Sequence, residues 1–128
     1  MRTKISTLQS VNQTGKKITV IFFKNDRGRE PVREWLLGDI SPNARKIIGE
    51  DIKTVEMGWP IGMPTCRPMG RGLYEVRSKL ACGNAARVLF TIHGNHMVLL
   101  HGFIKKGRKT PTNDLRTAKR RLAKFKRA

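Results

Sequence analysis

The chain has 128 residues, about the length of one domain with a core of its own. Its 27 lysines and arginines against 9 acidic residues give a net charge of +18, an imbalance that excludes an ordinary enzyme of small neutral metabolites. Such a surface attracts polyanions, so we expect a nucleic acid or the ribosome as partner. No run approaches the ~20 apolar residues of a membrane span, and no apolar signal core begins the chain, so we expect a cytoplasmic protein without a membrane partner.

The first segment differs in composition from the rest of the chain. Residues 1–17 are rich in Ser, Thr, Gln, Asn and Lys, and they hold four bases and no acid. Sparse apolar residues cannot build a core, so we predict a mobile basic arm here. A single domain is predicted over residues 18–128.

The domain is predicted to open with a buried strand and two helices. Residues 18–23 form a continuous β-rich run. Pro31 suits the first position of a short helix that Gly38 ends. Ser41-Pro42 opens a second helix, which ends near Gly58. The apolar residues of this second helix recur at helical spacing: Ala44, Ile47, Ile48, Ile52 and Val55.

Residues 59–71 contain several prolines and glycines, which predicts an irregular or partly extended connection. Three strands are predicted after it, over about 72–79, 86–93 and 96–104, with Gly94-Asn95 as a tight hairpin turn. The predicted fold is therefore α+β: a small, antiparallel-rich sheet of about four strands against two N-terminal helices, plus a basic C-terminal helix.

Strand alternation places two arginines together. In the second and third predicted strands, Arg77 and Arg87 lie on the parity opposite to Val76 and Val88. If the apolar face covers the helices, both arginines point to the open face of the sheet. A β-bulge would break this inference.

The last 24 residues hold 11 bases and a single acid, Asp114. We predict a helix that starts at Thr110-Pro111 with Thr110 as its cap. It carries a narrow apolar stripe of Leu115, Ala118, Leu122 and Phe125. The stripe predicts docking on the core, and the bases predict a strongly positive outer face.

The remaining motifs favour cationic chemistry. Cys66 and Cys82 show no CxxC spacing, which predicts two unpaired thiols, and His93 and His96 only bracket the hairpin turn, so no metal site is predicted. RNA carries its own nucleophile, the 2′-hydroxyl, so two to four fixed bases around one phosphate suffice for cleavage without a cofactor. The bases placed to do this are Arg77, Arg87, Lys105 and Lys106. The pattern alone fits equally well with charges that only solubilise strand ends.

Four runs carry a family resemblance: Gly72–Arg77, Ala86–Phe90, Leu99–Lys106, and Thr110-Pro111 followed by the basic helix. They resemble the RelE/ParE toxin superfamily, most closely its HigB-like, phage-derived branch, over residues 18–128. The resemblance implies a small α/β toxin of a type II toxin–antitoxin system that cleaves mRNA on the ribosome. Glu75 stands where some RelE-type relatives have a lysine, and no tyrosine follows Lys106 as in those relatives.

The resemblance also implies partners and a site. The partners are the ribosome, mRNA and a cognate antitoxin, expected to be a helix-turn-helix protein. Catalysis is expected from the bases at Arg77, Arg87 and the Lys105-Lys106 pair. Further RNA-binding bases are expected at Arg71, Lys79, Arg108, Lys109, Arg116, Lys119 and Arg120. Two alternatives stay open, a ParE-like topoisomerase poison and a phage nucleic-acid-binding protein without enzymatic activity.

Overall fold

The computed structural model describes residues 17–108 and 110–128, so the predicted arm lies outside it except for Lys17. The elements in chain order are β1 (Thr19–Phe22), α1 (Pro31–Gly38), α2 (Pro42–Gly58), β2 (Cys66–Gly70), β3 (Leu73–Lys79), β4 (Ala85–His93), β5 (His96–Lys105) and α3 (Thr112–Arg127). A short 3₁₀ turn, Ala81–Gly83, joins β3 to β4. Within the described residues, no helix is long and apolar enough to cross a membrane.

One mixed sheet runs through the molecule in the order β1-β5-β4-β3-β2. β1 pairs parallel to β5, and the other neighbours are antiparallel. The α+β prediction is confirmed, but the sheet has five strands rather than about four. The additional strand is β2, within the stretch expected to be irregular or partly extended. Pro68 is tolerated there because β2 is an edge strand, where a missing N–H removes no central ladder bond.

Two of the predicted helix starts are confirmed, and the third is wrong in detail. α1 begins at Pro31, and the hydroxyl of Ser41 caps α2 by accepting from the Ala44 N–H at 3.1 Å. The cap of α3 is Pro111 instead of Thr110, and no side chain caps that helix. The Thr110 hydroxyl bonds elsewhere because a buried carboxylate lies within its reach.

Both faces of the sheet carry helices. On one face, α1 and α2 pack over a core that includes Val76, Val88 and Phe90. The Trp35 ring of α1 lies so close to Gly102 that an added Cβ would come within 2.5 Å of it. On the other face, Ala118 and Leu122 of α3 lie in a second core. The second core residues from the sheet are Leu73, Leu89, Val98, Leu100 and Phe103.

The β4–β5 hairpin contains a bulge. Phe90 pairs with Leu99, but its neighbour Leu89 pairs with His101, so Leu100 is the extra residue. Beyond the bulge, Phe103 lies opposite Arg87 and Lys105 lies opposite Ala85. The bulge therefore sets which residues of β5 share the face of Arg87.

Candidate functional site

Four bases on four adjacent strands meet near one end of the sheet. Arg77 on β3 lies opposite Arg87 on β4, and Arg67 on β2 lies opposite Glu75 on β3. Lys105 on β5 pairs with Ala85, two residues along β4 from Arg87. Directly paired residues on neighbouring strands share a face of the sheet, and so do residues two apart on one strand. All four bases therefore lie on the face of α3, beyond the part that the helix covers. We call Arg67, Arg77, Arg87 and Lys105 the basic cluster.

The members of the cluster repel one another. Partial burial lowers the pKa of Lys105, and the nearby charges of Arg87, Arg77 and Arg67 lower it further, against the opposite effect of Glu75. Burial is also the main cause that lowers the pKa of Arg87, followed by the charge of Arg77. Cations that disfavour one another in this way favour a bound anion.

Arg87 corrects one prediction. It shares a face with Arg77, as the alternation indicates, but it does not point into the open: only 7% of it is exposed. Its Nη1 donates to the Ala86 carbonyl at 2.9 Å, and its Nε lies 3.6 Å from Oε1 of Glu75. A guanidinium is buried here because a carboxylate is buried beside it. Arg77 is half-buried, with Nη1 3.3 Å from the Met63 sulfur.

Glu75 lies at the base of the cluster and is only 1% exposed. Its Oε2 accepts a hydrogen bond of 2.6 Å from the Thr110 hydroxyl, so the loop before α3 is fixed over the middle of β3. Burial raises the pKa of the neighbouring Cys66 thiol to about 11, and the negative charge of Glu75 is a second, smaller cause. Cys66 and Cys82 are both unpaired, as predicted. The buried Cys66 is therefore a structural, unreactive thiol.

Two cavities adjoin the cluster. The larger, of about 810 Å³, curves around the sheet end and has Arg77, Arg87 and the exposed Lys79 in its wall. We call it the rim cleft. The smaller, of about 490 Å³, lies between Arg87 and the Lys105-Lys106 pair. Arg87 thus lines both cavities, and the four bases predicted to be catalytic are gathered at one end of the sheet.

The predicted RNA-binding bases are dispersed. Arg108 follows β5, and its carbonyl accepts from the Lys105 amino group, whereas Lys109 lies outside the described residues. Arg71 occupies the β2–β3 turn with a positive φ of 56°, at the opposite end of β3 from Lys79. It is therefore apart from the cluster. The remaining three are exposed along α3: Arg116, Lys119 and Arg120.

A polar network that the sequence did not predict holds α3 to β5. Nε2 of His101 lies 2.6 Å from Oδ1 of Asp114, and Nη1 of Arg121 donates to the Leu100 carbonyl at 2.9 Å and contacts Nδ1 of His101 at 3.2 Å. A neutral ring with its proton on Nε2 satisfies both neighbours. Burial lowers the pKa of His101, and the hydrogen bond to Asp114 opposes this only in part.

Sequence reasoning also missed Arg67, which belongs to the unpredicted strand β2. The apolar Cys66 followed by the charged Arg67 is a short alternation in the sequence that could have indicated a strand. His93 and His96 are exposed at the hairpin turn. The His93 ring contacts the Phe125 ring edge-on, with 5.2 Å between the ring centroids.

Comparison with known families gives one match. The model of a family described as phage derived protein Gp49-like (DUF891) matches residues 35–123, more than half of the chain. The matched range runs from α1 into α3 and includes the whole basic cluster. No curated protein matches the chain.

Proposed function

Because the chain belongs to the Gp49-like family of phage-derived proteins, we propose that it is the toxin of a type II toxin–antitoxin pair and cleaves mRNA on the ribosome. The family is toxin-like and related to RelE. The assignment to the HigB-like branch stays a prediction. The observation that carries the proposal is the basic cluster, because it gathers several fixed cations about one concave sheet end.

The proposed reaction uses the substrate's own hydroxyl. The RNA 2′-hydroxyl gives its proton to solvent water as its oxygen attacks the adjacent phosphorus, the bond to the 5′-oxygen breaks, and the products end in a 2′,3′-cyclic phosphate and a 5′-hydroxyl. Arg77 and Arg87 would stabilise the charge that develops on the phosphoryl oxygens. Lys105 would give a proton to the departing 5′-oxygen, for which its lowered pKa suits it better than an ordinary lysine.

The proposed partners follow from this assignment. A ribosome-bound mRNA places the action in the cytoplasm, and the exposed bases of α3 offer contacts to ribosomal RNA phosphates. A cognate antitoxin, expected to be a helix-turn-helix protein, would neutralise the toxin. The exposed α3 bases would serve a topoisomerase poison or a simple nucleic-acid binder equally well, so they do not carry the proposal.

The test is cleavage of a defined mRNA by the purified protein, with and without ribosomes, followed by mapping of the cut ends. Arg77→Ala should lose about 10²-fold or more in rate, as for other groups that stabilise a transition-state charge. Arg120→Ala removes the same charge from exposed α3 and should change the rate only mildly. Intact mRNA on ribosomes treated with the parent protein would refute the proposal and favour a binding-only function.

A further inference from the structure

The rim cleft is larger and more varied than a phosphate site. One wall carries the cations Arg77 and Arg87, whereas the opposite wall carries the carboxylate of Asp51 from α2. These residues come from opposite sides of the sheet, since α2 packs on the face of Val76 and the arginines lie on the face of α3. The cleft is therefore positive at one end and negative at the other.

Apolar side chains also line the cleft. Ile47, Pro64 and Leu80 line the cleft, together with Met63, which is 59% exposed. The Met63 sulfur lies 3.3 Å from Nη1 of Arg77, so this flexible side chain is next to the cationic end. A mostly apolar cavity of about 810 Å³ with a few polar groups has the size and character of a small-molecule pocket.

Ser78 adds an unused hydrogen-bonding group. It lines the cleft, is 2% exposed, and its hydroxyl has no partner among the described residues. Nε of Arg87, which lines the cleft from the other face of the sheet, makes no hydrogen bond within that part of the chain and has only its 3.6 Å ion pair with Glu75. Buried polar groups are ordinarily hydrogen-bonded, so the unpartnered Ser78 hydroxyl in the cleft lining points to a polar ligand.

We infer that the rim cleft binds one unstacked nucleobase of single-stranded RNA, with its phosphate at Arg77 and Arg87 and its polar edge towards Asp51. A nucleotide combines the groups that match this lining: an anion for the arginines, a flat apolar ring for the apolar side chains and a hydrogen-bonding edge for the carboxylate. A carboxylate only accepts hydrogen bonds, so it selects a base with an exocyclic amino group, adenine or cytosine, over uracil. This rests on the proposed function only in taking RNA as the ligand.

The test measures the binding of fluorescent hexanucleotides to the full-length protein by anisotropy, at one low salt concentration. The probes are oligo(A), oligo(C), oligo(U) and an abasic ribose-phosphate strand of the same length. We expect the amino-bearing oligo(A) and oligo(C) to bind about fivefold or more tighter than oligo(U) and the abasic strand. Equal affinity for all four would overturn the inference and leave the cleft to a protein partner.

Matched variants separate base reading from net charge. Asp51→Asn and Glu50→Gln each remove one negative charge from α2, but only Asp51 lines the rim cleft. Glu50→Gln should raise the affinity for every strand slightly and keep the preference, whereas Asp51→Asn should abolish the preference for oligo(A) and oligo(C). The same base preference in both variants would overturn the role of Asp51.

The assay is also independent of cleavage. A base preference without ribosome-dependent cutting would uphold the cleft and refute the proposed function. Ribosome-dependent cutting without any base preference in binding would support the proposed function and refute the base-binding role of the cleft.

Discussion

The hydroxyl of Thr110 donates a 2.6 Å hydrogen bond to the carboxylate of Glu75. The two residues are 35 positions apart, one in the loop before α3 and the other in the centre of β3. Glu75 also faces the Arg87 guanidinium, so one carboxylate connects the loop to the basic cluster. The loop that follows Lys105 is thereby fixed by an interaction inside the site.

Replacing Thr110 with valine should show how much this hydrogen bond contributes to the free energy of unfolding. Thr110→Val keeps the shape but leaves the buried carboxylate with one hydrogen bond fewer, which should lower the free energy of unfolding by about 1–3 kcal/mol. Urea unfolding followed by circular dichroism measures it. Thr110→Ser retains the hydroxyl and should stay closer to the parent. A larger loss in Thr110→Ser than in Thr110→Val would mean that the methyl group's packing, not the hydrogen bond, matters.

The two arginines of the cluster should differ in stability although they share a face. Arg87→Ala leaves Glu75 buried beside an empty position and should cost about 3–5 kcal/mol of unfolding free energy. Arg77→Ala removes a half-buried side chain and should cost about 1 kcal/mol or less. Urea midpoints of the two purified variants decide the point. Alternation alone predicts a surface change of ~0.5 kcal/mol for both, so similar midpoints would restore that simpler view.

Mild acid should weaken the attachment of α3 through His101. Burial holds its pKa below the ordinary 6.5, so the folded protein binds this proton less readily than the unfolded chain does. The stability from the neutral ring is complete above about pH 6.5 and is lost as the pH falls through the lowered folded-state pKa. Urea unfolding between about pH 7.5 and 5 should therefore show a steeper decline in the parent than in His101→Gln. Parallel curves would contradict the assignment.

Binding to RNA should depend strongly on salt. Several bases of the cluster and of α3 would release counterions from the phosphates that they contact. Raising the salt from ~50 to ~200 mM should therefore weaken the binding of a single-stranded oligonucleotide at least about tenfold. Fluorescence anisotropy over that range measures the slope. An affinity that stays constant would remove the electrostatic basis of the proposal.

Local patterns in the sequence predicted most of the framework. Pro31, Ser41 and Gly58 mark helix limits by their own backbone chemistry, and the alternation along β3 and β4 correctly placed Arg77 and Arg87 on one face. Strand β2 was not predicted, because Pro68 and Gly70 disfavour a strand and only pairing with the edge of β3 orders it.

The environment of each charge was less predictable, because it depends on contacts between distant segments. Arg121 illustrates this: the sequence assigns it to the outer surface of α3, but it is half-buried and bonded to β5. The burial of Arg87 is a similar case, since it requires Glu75 on the neighbouring strand. Helical spacing and strand alternation predict which face of an element a side chain is on, but they do not predict which distant residues contact it.

The single extra residue in β5 has a consequence for how this site could change. Continuing the pairing of the β4–β5 turn without Leu100 as an extra residue would place Gly102 opposite Arg87 and Ile104 opposite Ala85. Lys105 would then belong to the face of α1 and α2, and Phe103 would leave the arginine's side. Loss of the bulge, with every residue still in the chain, would thus exchange the two faces of half a strand without replacing any basic residue. A lineage could lose the lysine from its site in this way while every basic residue stays in its sequence.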